Sequence, residues 1–202
     1  MFEKLQEVTL RFGIQPLQFE EVMHAIVLRG KAYLEKFNYA EMCKLATKTG
    51  FMHIELLADV SYIIPGSFKN EVMDELLKMK EQGVTFSVHL PIWSIELSSP
   101  NEYIRKGSIE CLIQSIKALE VLKPECYVVH LTGSLAAEFS RLRIPNEYKR
   151  LLLNYLTSLS IDSLRKVLNR VGISPREIAV ENVEFLFKYS WRVIRDLNLS
   201  IC

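Results

Sequence analysis

Apolar runs and amphipathic segments alternate along the chain from about residue 38 onward. The apolar runs predict strands, which lie at 51–57, 84–90, 126–131 and 177–182, with a further run beginning at 199. Between them, apolar residues at helical spacing predict helices at 38–50, 66–83, 99–124, 144–172 and 189–198. This alternation indicates βα units around a parallel sheet.

Cap residues mark the start and end of some of these helices. Asn38 is placed to begin the first helix and Gly50 to end it, and Ser67 is a candidate cap for the second. The region before residue 38 is poorly periodic, and its one candidate strand is 24–30. The segment 144–172 is read as one long helix or as two.

The strands are apolar on consecutive residues, which is typical of parallel strands buried on both faces. No glycine-rich phosphate loop follows any strand, so the usual sign of an open nucleotide-binding sheet is missing. We therefore predict a single α/β domain over residues 1–202, of the (β/α) TIM-barrel type, with about five strands and the start of a sixth. Because a complete barrel has about 250 residues, we expect this one to be truncated at its C-terminus. Its open sheet edge would then be covered by a second copy of the chain in a homodimer.

Three of the predicted strands end on side chains that can bind a metal ion. His89 and His130 end two of them, and Glu181 ends a third. Side chains at the C-terminal ends of barrel strands converge on one mouth, whereas a lone histidine at a strand end is as easily a core residue bonded to a backbone carbonyl. Imidazole nitrogens and carboxylate oxygens together suit zinc or manganese. Such an ion can lower the pKa of a bound water to about 7 or polarise a phosphoryl or carbonyl oxygen.

Further candidates lie near the same strand ends. Glu55 is a possible ligand, general base or salt-bridge partner, and Asn182 follows Glu181 in a position to orient substrate or a carboxylate. Trp93 is a candidate for stacking on a ring of the substrate, although an aromatic residue after a strand more often serves packing. His53 falls within a strand and is expected to point toward the helix layer, away from the site.

Composition narrows the range of partners and compartments. Lys and Arg number 25 against 24 Asp and Glu, and this balance argues against nucleic acid as the partner. The four cysteines are far apart and form no CxxC pair, which favours a reduced, cytoplasmic compartment. No apolar stretch is long enough to span a bilayer, and the segment "MFEKLQEVTLRFG" lacks a signal-peptide layout.

Four motifs, in order, resemble those of the xylose isomerase-like TIM barrels, the superfamily of AP endonuclease family 2 and of sugar phosphate isomerases and epimerases. They are "HIELL", "VHLPIWSIELSSPNEYIRKGSI", "YVVHLTGS" and "AVENVE". The resemblance runs from about residue 40 to the end of the chain. The phrases "ADVSYIIPGSF" and "LTGSLAAEFSRL" further resemble a subgroup linked to cobamide-remodelling phosphodiesterases.

The resemblance implies a divalent metal site in which His89 and His130 are ligands. Glu181 would match a ligand that bridges metals or acts as a base. Two departures stand out: Ile92 replaces the usual tyrosine after the proline, and the loop after His89 is one residue longer than in the endonuclease pattern. The family takes its remaining ligands from strands 6, 7 and 8, and this chain stops inside the sixth. Whether the fragment alone is active is therefore left open.

The sequence leaves three functions open. The first is a metal-dependent phosphodiester or phosphate-ester hydrolase acting on a small molecule. The second is a sugar or sugar-phosphate isomerase or epimerase, in which Glu181 would also move a proton next to a carbonyl. The third is a non-enzymatic binding module made from part of a barrel, since fold membership alone does not fix a function.

Overall fold

The computed structural model describes residues 12–17, 27, 37–93, 95–132, 134–183 and 185–202. Its strands form one parallel sheet, in which each strand pairs with the one before it in the chain. The strands are β1 (Gly13–Ile14), β2 (His53–Leu57), β3 (Thr85–His89), β4 (Tyr127–His130), β5 (Ile178–Glu181) and β6 (Ser200–Ile201). A doubly wound sheet would reverse its order at a switch point, whereas this order is that of a barrel wall.

Helices connect consecutive strands, as the alternating pattern predicted. They are α1 (Tyr39–Lys48), α2 (Val60–Ile63), α3 (Asn70–Glu81), α4 (Glu102–Leu119), α5 (Ser134–Arg141), α6 (Asn146–Val171) and α7 (Phe187–Leu197), with 3₁₀ turns at Glu120–Leu122 and Pro175–Glu177. Asn38 begins α1 as predicted, because its side chain accepts a hydrogen bond from the Ala40 N–H at 3.1 Å. The segment predicted over 144–172 forms a single helix, α6. In the part of the chain that the structure describes, none of the helices has both the length and the hydropathy of a transmembrane span.

The structure corrects two details of the predicted elements. Ser67 does not cap α3, because its hydroxyl donates to the Ile64 carbonyl while Lys69 holds the N-cap position. Helices α2 and α5 were not predicted, because each is too short to show a clear helical period. The candidate strand at 24–30 lies outside the described residues except for Val27, and the first described strand is β1.

Alternate residues of β2 face the helix layer and the barrel interior. Ile54 and Leu56 are fully buried in the core beneath the helices. His53 and Glu55 lie on the other face, where the His53 ring contacts the hydroxyls of Thr85 at 2.7 Å and Ser87 at 3.1 Å. The prediction that His53 points toward the helix layer was therefore wrong: both faces of a parallel strand are covered, so the sequence pattern does not reveal which face is which.

Candidate metal site

The last residues of β3, β4 and β5 bring three potential ligands together at the mouth of the barrel wall. Strand pairing places His130 directly beside Glu181. The Nε2 atoms of His89 and His130 lie 3.1 and 3.0 Å from the same oxygen of Glu181, Oε2. One ligand atom from each side chain lies within 4.8 Å of the others. The predicted trio is thus one compact cluster on three adjacent strands.

The hydrogen bond made by Nδ1 of His89 identifies Nε2 as the ring nitrogen that can bind a cation. Nδ1 of His89 lies 3.0 Å from the Leu90 carbonyl oxygen, and a carbonyl can only accept, so Nδ1 carries the proton. In the neutral ring Nε2 then has a lone pair available to bind a cation, whereas a hydrogen bond from Nε2 to the Glu181 carboxylate requires the ring to carry a second proton. A histidine bound to a metal ion commonly has this second hydrogen bond to a carbonyl, which fixes its tautomer.

The electrostatics of Glu181 favour its charged form. Partial burial acts to raise the pKa of its carboxyl, but hydrogen bonds from the His130 and His89 rings outweigh burial and hold the pKa below the usual value. The carboxylate needed to bind a cation is therefore present at neutral pH.

Exposure differs across the cluster. The side chains of His89 and His130 are 8% and 10% exposed, whereas that of Glu181 is 40% exposed. The two imidazoles therefore lie within the wall, and the carboxylate faces the open mouth. The residues fit a divalent cation such as zinc, whose catalytic sites have three protein ligands and keep one position open.

Glu55 lies on the interior face but outside the trio. It is two residues before Leu57, which pairs with His89. Its carboxylate accepts hydrogen bonds from Ser87 Oγ at 3.3 Å and from Gln15 Nε2 at 3.4 Å. The structure therefore places Glu55 in a polar layer below the cluster, toward the N-terminal ends of the strands.

Asn182 and Trp93 occupy separate parts of the mouth. Asn182 is exposed and follows β5, and its side-chain oxygen accepts a hydrogen bond from the buried Ser190 hydroxyl of α7. Trp93 lies in the loop after β3, where it is half-buried and lines a cavity that also contacts α4.

Asp59 is a residue of this site that the sequence analysis missed. It is 4% exposed, and its Oδ2 accepts a hydrogen bond at 2.8 Å from the Ile92 N–H, three residues after His89. Burial raises the pKa of Asp59, while backbone N–H groups and the charges of His89 and His130 oppose this. Asp59 therefore holds the loop that follows His89 and lies within electrostatic reach of both imidazoles.

A second carboxylate joins the loops after β3 and β4. Glu96 Oε1 accepts hydrogen bonds at 2.5 Å from the hydroxyls of Ser98 and Thr132, and its Oε2 accepts one from the Leu135 N–H at 3.2 Å. Ser98 and Thr132 are both buried. This network holds the chain in place at Thr132, two residues after His130. In the sequence its members are only scattered polar residues in two loops, so no pattern marks them.

The role of Asp59 leads to a stability and binding prediction. We expect Asp59→Ala to lower the free energy of unfolding by about 1–3 kcal/mol, because the Ile92 N–H loses its acceptor. Zinc affinity should fall by about 10-fold or more, as for other residues that orient ligands through a second contact. Chemical denaturation and zinc titration measure the two effects.

Asp59→Asn is the matched control, since its amide oxygen still accepts from the Ile92 N–H. We expect Asn to keep most of the stability and of the zinc affinity. If Asn and Ala lose both properties equally, the hydrogen bond to Ile92 is not what holds the loop.

Comparison with solved structures identifies the fold. No protein-family model and no curated protein matches the sequence. A D-tagatose 3-epimerase-like protein aligns over 95% of this chain and 64% of its own, with a TM-score of 0.62 and 17% identity. Endonuclease IV from Thermus thermophilus aligns over 95% of this chain and 60% of its own, with a TM-score of 0.56 and 15% identity.

A third neighbour is 3-keto-D-glucoside 4-epimerase (YcjR) from E. coli, with a TM-score of 0.54 and 15% identity over 80% of this chain and 61% of its own. The chain therefore spans about three fifths of the length of the structures it resembles. At such low identities the similarity shows the fold and not the activity. The chain has the predicted α/β fold of part of a TIM barrel.

Proposed function

We propose that the chain is the metal-binding part of a divalent-metal-dependent hydrolase that cleaves a phosphodiester or phosphate ester of a small molecule. The observation that carries this proposal is the cluster of His89, His130 and Glu181, whose ligand atoms lie within 4.8 Å of one another. Zinc or manganese suits this donor set. The chain covers about three fifths of the length of its structural neighbours, so the activity is a proposal.

The chain's own residues have distinct tasks in this proposal. His89 and His130 hold the ion from within the wall, and Leu90 fixes the tautomer of His89. When bound, the ion supplies positive charge that stabilises a developing phosphoryl oxyanion and acidifies water. Glu181, open to the mouth, would both hold the ion and accept a proton from the attacking water, while the P–O bond to the leaving alcohol breaks and the alcohol oxygen takes up a proton from solvent.

The remaining predicted residues have supporting roles. Glu55 is proposed to serve as a general base below the cluster, where its carboxylate accepts hydrogen bonds from Ser87 and Gln15. Asn182 is proposed to orient substrate through its amide NH₂, because its oxygen is bonded to Ser190. Trp93 is proposed to contact a ring of the substrate.

The substrate is proposed to be small and not a nucleic acid. The formal net charge of the chain is +1, whereas binding of double-stranded nucleic acid depends on many Lys and Arg contacts to phosphates. The motif resemblance to cobamide-remodelling phosphodiesterases makes a cobamide one candidate substrate.

A sugar or sugar-phosphate epimerase or isomerase is the alternative. It is favoured by two of the structural neighbours, which are named as a D-tagatose 3-epimerase-like protein and a 3-keto-D-glucoside 4-epimerase. In this reaction Glu181 or Glu55 would remove the proton next to a carbonyl, and the cation would stabilise the enediolate.

Two assays of the same metal-loaded protein distinguish the reactions. We expect hydrolysis of bis(4-nitrophenyl) phosphate, and no exchange of the carbon-bound proton of fructose or tagatose with deuterated water. Glu181→Gln should lower hydrolysis by about 100-fold or more, because it removes both a ligand charge and a base. Proton exchange without hydrolysis would replace the proposal with the epimerase.

A third possibility is a binding module, in which a second copy covers the sheet edge at β6. The edges of the described sheet are β1 and β6, and open edges favour pairing with another chain. We expect a dimer in light scattering. A monomer at high concentration would contradict the dimer, and tightly bound metal that is lost in His89→Ala and His130→Ala would argue against a purely structural module.

A further inference from the structure

A cavity of about 410 Å³ lies between α2, the loop after β3 and α4. Its walls are mainly apolar and aromatic. They include Tyr62, Ile63, Pro91, Trp93 and Ile95, together with the acidic residue Asp59. Small-molecule sites are typically cavities of this size, with apolar walls and a few polar groups that set orientation.

The aromatic wall of the cavity is fixed by its surroundings. The Tyr62 hydroxyl lies 3.2 Å from Ser115 Oγ and 3.0 Å from Cys111 Sγ, both on α4. Trp93 lines the same cavity from the loop after β3, and its backbone N–H is hydrogen-bonded to Asp59. Two aromatic side chains lining one cavity offer flat surfaces on which a planar ring can pack.

Two lining residues connect this cavity to the metal cluster. Pro91 is two residues after His89, and Asp59 lies within electrostatic reach of His89 and His130. The Asp59 carboxylate has two oxygens with several lone pairs, so it has acceptor positions beyond those used by the Ile92 and Trp93 N–H groups. A ligand in the cavity therefore has one edge facing an acceptor next to the cluster.

We propose that this cavity binds a planar, mainly apolar ring of the substrate that carries an N–H or O–H donor on the edge facing Asp59. This inference rests on the proposed function, because it takes the bound molecule to be the substrate of the proposed hydrolase. It adds that this phosphate ester carries a planar ring. The ring occupies the space between Tyr62 and Trp93. The bond to be cleaved then lies toward His89 and His130.

Gly107 provides a way to fill the cavity without disturbing the backbone. It lines the cavity from within α4, and a Cβ built there meets no atom within 4 Å. Gly107→Leu places a side chain in the space proposed for the ring. Gly107→Ala is the matched control, since it adds one methyl group and improves the helix propensity.

Tryptophan fluorescence measures binding directly. The chain has two tryptophans, so Trp191→Phe leaves Trp93 as the reporter, and the probe is purine, a planar bicycle with an N–H donor. We expect saturable quenching by purine in the tens of millimolar range, because a ligand of so few atoms binds weakly. Cyclohexanol, which is not planar, should give no saturable signal.

In the same background, Gly107→Leu should raise the purine dissociation constant by about 10-fold or more because it occupies the cavity, while Gly107→Ala should change it by less than about 2-fold.

If Gly107→Leu does not fold, alkylation of the unmutated chain, followed by mass spectrometry, tests the same site. Purine should slow alkylation of Cys111, which lines the cavity, but not of the exposed Cys202.

The outcomes separate this proposal from the proposed function. Purine binding is measured without metal or turnover, so His89→Ala should retain it. Binding together with absent phosphodiester hydrolysis supports the ring site and contradicts the hydrolase. Quenching that cyclohexanol reproduces, or that persists unchanged in Gly107→Leu, would overturn the ring site whatever the catalytic assay shows.

Discussion

Zinc is expected to stabilise the protein by about 4 kcal/mol when its free concentration is about 1,000 times the dissociation constant, because it binds the folded cluster and not the unfolded chain. The effect depends on the close approach of His89, His130 and Glu181, which the unfolded chain does not retain. Chemical denaturation of protein with added zinc, and with excess chelator, measures the difference.

The double variant His89→Ala, His130→Ala should lose the zinc response. His53→Ala is the matched control, because His53 is another interior histidine but bonds to Thr85 and Ser87 and lies outside the cluster. Each variant is compared with its own metal-free form, so a change in baseline stability does not affect the result. An equal zinc response in the double variant would place the metal elsewhere.

The cluster was predictable because it depends on few structural facts. His89, His130 and Glu181 each end an apolar run, and the ends of parallel strands meet at one mouth whatever path the helices take. The pairing of His130 with Glu181 and their contact at 3.0 Å confirm this placement of the side chains. Whether a metal ion binds there remains a prediction.

Contacts between loops were not predictable in this way. Asp59 and Ile92 are 33 residues apart, and Glu96 and Thr132 are 36 apart. Neither pair has a periodic pattern or a spacing that marks it, since loop paths are set by packing and not by strand register. His53 was mispredicted for a different reason, because its neighbours Thr85 and Ser87 are defined only by the pairing of β2 with β3.

The helix α6 supports the loops around the cluster through buried hydroxyls. Ser160 donates to the Leu131 carbonyl at 2.9 Å, directly after His130, and Ser163 donates to the Leu97 carbonyl at 2.8 Å. Both serines are fully buried. The packing of α6 against the rest of the domain therefore affects the site as well as the stability.

Leu156→Ala should lower the free energy of unfolding by about 2–5 kcal/mol, because this fully buried side chain of α6 leaves a cavity when it is truncated. Leu151→Ala is the same substitution on the same helix, but Leu151 is 58% exposed. Its expected change is within about 0.5 kcal/mol, since little packing is lost and alanine favours the helix. Urea denaturation of both variants measures the difference, and equal losses would mean that the face of α6 bearing Leu156 is not the face packed on the core.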